Sequence, residues 1–310
     1  MRKTDFIECM KMQEEEKRRL GAESTADLYR ATRIHFLMFC LGKKVGLKEV
    51  SAGKVAGFIT YLKMHGLAVN SVNSYVSNLR AIYNKVCKQT GFIPQINPFE
   101  GIVLKRQETQ KRAVPVRVIE KIAALDLSER PDLEQATDLA LFCFMSCGMP
   151  FVDLAHLTKA NIREGGKKLE YRRRKTNTLI RIDINPGMKL LLDKYTLPDS
   201  MYLFPILSED TTHEQYKASL ARFNNCLKEI GRMLGLPEPL TSYVIRHSWA
   251  SAAHQAHVDI SVISQALGHT SEQMTHIYLT QLDTHELAKA NQKVIGKMEK
   301  IMLSKGGNLI

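Results

Sequence analysis

Long uncharged apolar runs are missing from this 310-residue chain. No window approaches the ~18 residues that a membrane-spanning helix needs. The opening stretch MRKTDFIECMKMQEEEKRRL breaks every apolar group with charge, so the protein is expected to be soluble and unexported. Paired cysteines are missing as well. Cys9, Cys40, Cys87, Cys143, Cys147 and Cys226 include no C-x-x-C pair and no Cys/His cluster. They read as reduced cytosolic thiols, with no disulfide framework and no zinc site expected. Internal repeats and low-complexity tracts are also absent.

Acidic residues fall short of basic ones, 32 against 44, which leaves a formal net charge of +12. Clustered Lys and Arg gain binding free energy by releasing counterions from phosphates, so nucleic acid is the leading partner class. An anionic membrane surface would suit the same charge balance. A chain of this length comfortably buries two cores, and two domains are expected.

From Thr4 to about Gln89 the pattern is helical. Tyr29, Ile34, Phe36, Leu37 and Phe39 form one apolar stripe, Val55, Phe58, Ile59 and Leu62 a second, and Val72, Tyr75, Val76, Leu79, Ile82 and Tyr83 a third. A four-helix bundle over 1–100 follows. Pro94, Pro98, Gly91 and Gly101 then break the periodicity, and Lys105, Arg106, Lys111 and Arg112 add a basic cluster. Residues 101–113 therefore read as an interdomain linker that runs over a charged partner. A second domain is expected over 114–310, with Pro115 in the first turn of a helix reaching Leu125 and a strongly apolar helix from Leu133 to Met145. The period then changes to two. In KKLEYRRRKTNTLIRIDIN, Leu169 and Tyr171 precede a Lys-Thr-Asn-Thr tip and Ile180, Ile182 and Ile184 follow it. That is a β-hairpin with Arg172, Arg173, Arg174 and Lys175 at or near its turn. Helices return from His213 to Leu234 and from Thr241 onward, so the fold class is mostly α with a small β-hairpin or sheet.

LGHTSEQMTHIYL places Tyr278 nine residues after His269, about two and a half helical turns and off a shared face. Thr270 and Gln273 supply a capping box, so a new helix is expected to start just after His269 and to carry Tyr278 about two turns in. Upstream, LTSYVIRHSWASAAHQAHV starts a helix after Thr241 or Ser242, with Ile245, Trp249, Ala252 and Ala256 as its buried stripe and Arg246 at the stripe's edge.

Lys175, Tyr243-Val244-Ile245-Arg246, Leu267-Gly268-His269 and Tyr278, in that order, resemble the tyrosine recombinase (phage integrase) family over nearly the whole chain. The resemblance implies an N-terminal SAM-like core-binding domain, a linker, and an α+β catalytic domain. That domain ends in a helix, here about Asp283 to Met302, which packs on a neighbouring protomer in a tetramer on paired duplex DNA sites. It implies a short bacterial DNA invertase-like enzyme, cytoplasmic and on the nucleoid when bound to DNA, that needs neither metal nor other cofactor. Tyr278 would be the nucleophile, leaving a 3′-phosphotyrosyl enzyme and a free 5′-hydroxyl. Arg246 and His269 would hold the non-bridging oxygens, and Lys175, on a mobile hairpin, would protonate the leaving 5′-oxygen.

Two positions depart from the family pattern. Tyr243 stands where most members have His, and a phenol with a pKa of about 10 is a poor base. In the turn MSCGMPFVDLAHL a second arginine is expected at Pro150 or, in the branch with Tyr-x-x-Arg, at Cys147. Neither is Arg, and a thiol cannot make a charged bidentate clamp. Cleavage is accordingly expected to be impaired, unless one of Arg172 to Arg174 substitutes from the hairpin. The alternative function is a non-catalytic, sequence-specific DNA-binding regulator, because VDISVISQALGHTSEQMTHIYLTQL also reads as a helix-turn-helix. That helix lacks Lys and Arg through Asp283, which suits a major groove poorly.

Overall fold

The computed structural model describes residues 5–107, 112–273 and 275, which fall into two compact units dividing between Thr109 and Gln110. Tyr278, Lys111 and the expected helix from Asp283 to Met302 lie outside the described residues.

The first unit is built by α1 (Phe6–Arg19), α2 (Glu23–Phe39), α3 (Ala52–Met64) and α4 (Val69–Thr90). Local chemistry starts and stops them. Asp5 caps α1 by accepting the Ile7 N–H at 3.1 Å, Ser51 caps α3, and Gly91 ends α4 with φ of 65°. Phe6, Phe36, Phe58, Leu79 and Tyr83 meet in one core, with Phe6 edge-on to Phe36 at 5.9 Å. Of the stripe expected on α2, Ile34 is a correction, since it lies on the outer face. The start of the expected linker does not hang free. Asn70, Asn73 and Arg80 on α4 bond the backbone of Gln107, Lys105 and Ile102, so 102–107 runs along that helix.

In the second unit, α5 (Val116–Ala123) follows Pro115, which sits one place before the helix as its N-cap. The apolar α6 (Pro131–Met145) is central, packing against α5, α8 (Pro186–Tyr195), α9 (His213–Met233) and α10 (Ser242–Gln255). Between α6 and α8 come the short α7 (Phe151–Ala155) and an antiparallel sheet of β1 (Ile162–Arg163), β2 (Lys168–Arg172) and β3 (Leu179–Asp183), in that order. The expected hairpin is present, with Leu169 paired to Ile182 and Tyr171 to Ile180. The two-residue β1 is too short to leave a periodic signal. Last among the described helices, α11 (Ile260–Leu267) ends at Gly268, which has φ of 64°. The helical state resumes at Glu272.

Candidate active site

α10 is capped by Thr241, whose hydroxyl accepts the Val244 N–H at 3.3 Å. From that start Val244 to Ser248 are all buried, whereas Trp249 and Ala252 are only half-buried and Ala256 is exposed. The expected stripe is thus shifted toward the N-terminal half of the helix. Arg246 lies inside it rather than at its edge, 6% exposed.

A buried guanidinium needs acceptors, and two backbone carbonyls supply them. Arg246 donates through Nη1 to Gly148 O and through Nη2 to Leu267 O, each at 2.7 Å. Nη2 also stands 3.5 Å from His269 Nε2. Gly148 can approach because it lacks a Cβ, which would sit 3.1 Å from Arg246 O, and because its φ of 68° suits glycine. The Met145–Pro150 turn and the loop after α11 are therefore both fixed on one arginine.

His269 is half-buried, and its Nδ1 lies 2.8 Å from Thr275 Oγ1. Burial first, then the charges of Arg246, Arg173 and Lys175, lower its pKa to about 4. The imidazole is neutral at pH 7 and already surrounded by cations. Among the described residues no group of His, Cys, Asp and Glu is arranged to hold a metal.

Cys147 sits in the turn that Arg246 grips, with φ of 59°. It is half-buried, burial raises its thiol pKa, and it brings no charge to the site. Pro150 is the N-cap of α7. Tyr243 is exposed on the first turn of α10, its ring edge-on to His247 at 4.0 Å.

The hairpin arginines divide. Arg172 and Arg174 are exposed, as are Lys105, Arg106 and Lys175, while Arg112 is half-buried and 4.0 Å from Glu238. Arg173 alone is a correction to the expected DNA-binding residues of the tip, because it turns inward and is 7% exposed. Its Nε pairs with Asp153 Oδ2 at 2.5 Å, a contact of charge without hydrogen-bond alignment, and its Nη1 donates to Leu267 O. The hairpin tip is tied to α7 and to the loop after α11.

Asp153 and Thr275 went unremarked in the sequence as site residues. Asp153 carried a signal, since a carboxylate among Phe151, Val152, Leu154 and Ala155 must be buried and hence paired. Thr275 carried none, because its role depends on where His269 comes to rest.

A SAM-like helical unit followed by this α+β unit, with a buried arginine and a cation-flanked histidine, defines a tyrosine recombinase, the class of enzymes that cleave and rejoin DNA strands. The chain belongs to the phage integrase family: the description "Phage integrase family" matches residues 117–285, and "Phage integrase SAM-like domain" matches 5–102. It is 22% identical to the tyrosine recombinase XerD of Rickettsia prowazekii, over 84% of this chain and 88% of that one. To the tyrosine recombinase XerC of Thermodesulfovibrio yellowstonii it is 24% identical, over 94% of each. In fold it is similar to the Tn1549 transposon integrase bound to transposon right-end DNA, with TM-score 0.64 and 15% identity, covering 94% of this chain and 100% of that one. A XerH site-specific recombinase on palindromic difH substrate gives TM-score 0.64 at 17% identity, covering 86% and 79%.

Proposed function

We propose that this chain carries out site-specific DNA recombination through a 3′-phosphotyrosyl intermediate, with strand cleavage slowed by the absence of a second arginine at Cys147. The observation that carries the reading is the convergence of Arg246 and the cation-flanked His269, held by the turn that contains Cys147.

Tyr278 attacks the scissile phosphorus, forming a P–O bond to its phenolic oxygen while the P–O5′ bond breaks. Lys175 gives a proton to the departing 5′-oxygen and the phenol proton passes to solvent water, from which Lys175 is reprotonated, so the completed step is proton-neutral. Arg246 and His269 stabilise charge on the non-bridging oxygens of the five-coordinate phosphorus. Attack by a 5′-hydroxyl from another strand reverses the step and reseals the DNA. Tyr243, exposed beside Arg246, orients the phosphate rather than taking a proton. Lys105, Arg106, Lys111, Arg112, Arg172 and Arg174 contact the DNA backbone. Residues 1–100 act as the core-binding domain, 101–113 as the linker and 114–310 as the catalytic domain. Its terminal helix joins four protomers on two sites in the bacterial cytoplasm.

A nicked suicide duplex tests this, with its site selected by binding from a random-sequence pool and the covalent adduct read on a denaturing gel. The chain as it stands is expected to give a weak adduct that Tyr278→Phe abolishes. Cys147→Arg is expected to raise the cleavage rate by about 10²–10³-fold, the usual worth of one preorganised donor. Binding without an adduct from either chain would replace this reading with the non-catalytic regulator.

A further inference from the structure

The strongest unassigned feature is the set of ties around Lys175. Thr178 O accepts the Arg173 N–H at 2.9 Å, and Arg173 O accepts the Asn177 N–H at 2.8 Å, which closes the hairpin tip on itself. The tip is then fastened outward on both sides of the lysine. On one side, Arg173 reaches Leu267 O and Asp153, and the Arg174 N–H donates to Asp153 Oδ1 at 2.9 Å. On the other, Thr176 Oγ1 donates to Gly268 O at 3.1 Å. Leu267 O also receives Arg246, and the next residue but one is His269. Gly268 makes the approach possible, since a Cβ there would stand 2.8 Å from Arg173 Cγ.

We propose that Arg173 is a positioning residue that clamps the hairpin tip to the loop after α11, seating Lys175 beside Arg246 and His269 as one block. This rests on the strand-cleavage reading above. Positioning is favoured over contact with the phosphate because the charge of Arg173 is matched by Asp153, whose side chain has no exposed surface. Its Nη1 also donates within the protein, to Leu267 O, and its Nε stands against Asp153 Oδ2. Only a rigid fork serves both partners, which a lysine ammonium does not provide. General acid catalysis depends on proton-transfer geometry, so a loosened tip costs rate without removing any reacting group.

The test uses the full chain on three selected-site duplexes: one ordinary, one with sulfur replacing the scissile 5′-oxygen, and one with a charge-neutral methylphosphonate at the scissile position. With sulfur, the Tyr278 oxygen bonds phosphorus, the P–S bond breaks and a thiolate leaves without needing a proton, so Lys175 becomes dispensable. On ordinary DNA, Arg173→Met and the reference Lys175→Ala should each lose about 10²-fold or more in cleavage. Both should return to the rate of the unchanged chain with sulfur, and neither with methylphosphonate. Thr176→Val, which leaves the Asp153 pair in place, should show a smaller loss and the same recovery, even if Arg173→Met fails to fold. Recovery on methylphosphonate would overturn the proposal by making Arg173 a phosphate ligand. Recovery on neither substrate would reduce it to an ion pair that only holds the fold.

A chain that cleaves none of the three duplexes refutes the strand-cleavage reading and leaves the clamp to amide hydrogen exchange without DNA. There Thr176→Val should speed exchange in 174–178 and 267–269 together. Loosening of the tip alone would overturn the clamp.

Discussion

Burial and three neighbouring cations make the protonated form of His269 expensive, and the proton balance fixes the consequence for stability. The folded pKa of about 4 lies below the ordinary value of 6.5, so between those values the unfolded chain binds more protons than the folded one. Stability from this residue is therefore complete above about pH 6.5 and is lost as pH falls toward 4. An imidazole NMR titration should find His269 unprotonated down to about pH 4. Thermal unfolding of His269→Gln should depend less on pH across that window; an equal dependence would contradict the assignment. Cys147 lies in the turn that Arg246 grips, and its φ of 59° penalises Cys and Arg alike, so backbone geometry favours neither residue there.

Among elements, the hairpin and α10 show how far local pattern reaches. Strict alternation marked the hairpin, in which Leu169 pairs with Ile182 and Tyr171 with Ile180, and Thr241 marked the start of α10. The inward turn of Arg173 had no local sign, because three consecutive arginines at a tip look alike until one meets Asp153. Gly268 is where these elements touch. Gly268→Ala would put a Cβ 2.8 Å from Arg173 Cγ and 3.1 Å from Ile180 Cδ1 at a φ of 64°. A loss of about 2–4 kcal/mol is expected from the contacts and left-handed strain together. Denaturant unfolding checks it, and a loss under about 0.5 kcal/mol, the scatter of ordinary surface changes, would show that the loop yields.

For the whole molecule, the excess of Lys and Arg behind the net charge of +12 is the pool from which phosphate contacts are drawn. The number of those contacts sets the salt response. If Lys and Arg neutralise several phosphates, DNA affinity should fall by about 10³-fold or more between 50 and 200 mM salt. Lys105→Ala and Arg106→Ala, both at exposed positions along α4, should each lower the salt slope by about 1, uniformly across DNA sequences. Fluorescence anisotropy at graded salt measures it. An unchanged slope would remove 102–107 from the DNA-facing surface.

The amino-acid order by itself determined the helical first unit, the hairpin, the start of α10 and the family to which the chain belongs. These are legible because periodicity, caps and turn residues act within a few positions of one another. Only the tertiary structure decided that Arg246 is buried on two backbone carbonyls, that His269 stays neutral, that Thr275 meets its ring, and that Arg173 faces inward rather than toward solvent. Each depends on groups far apart in the chain. Whether a charge is buried, paired or exposed is a property of what packs around it, and local sequence does not contain that.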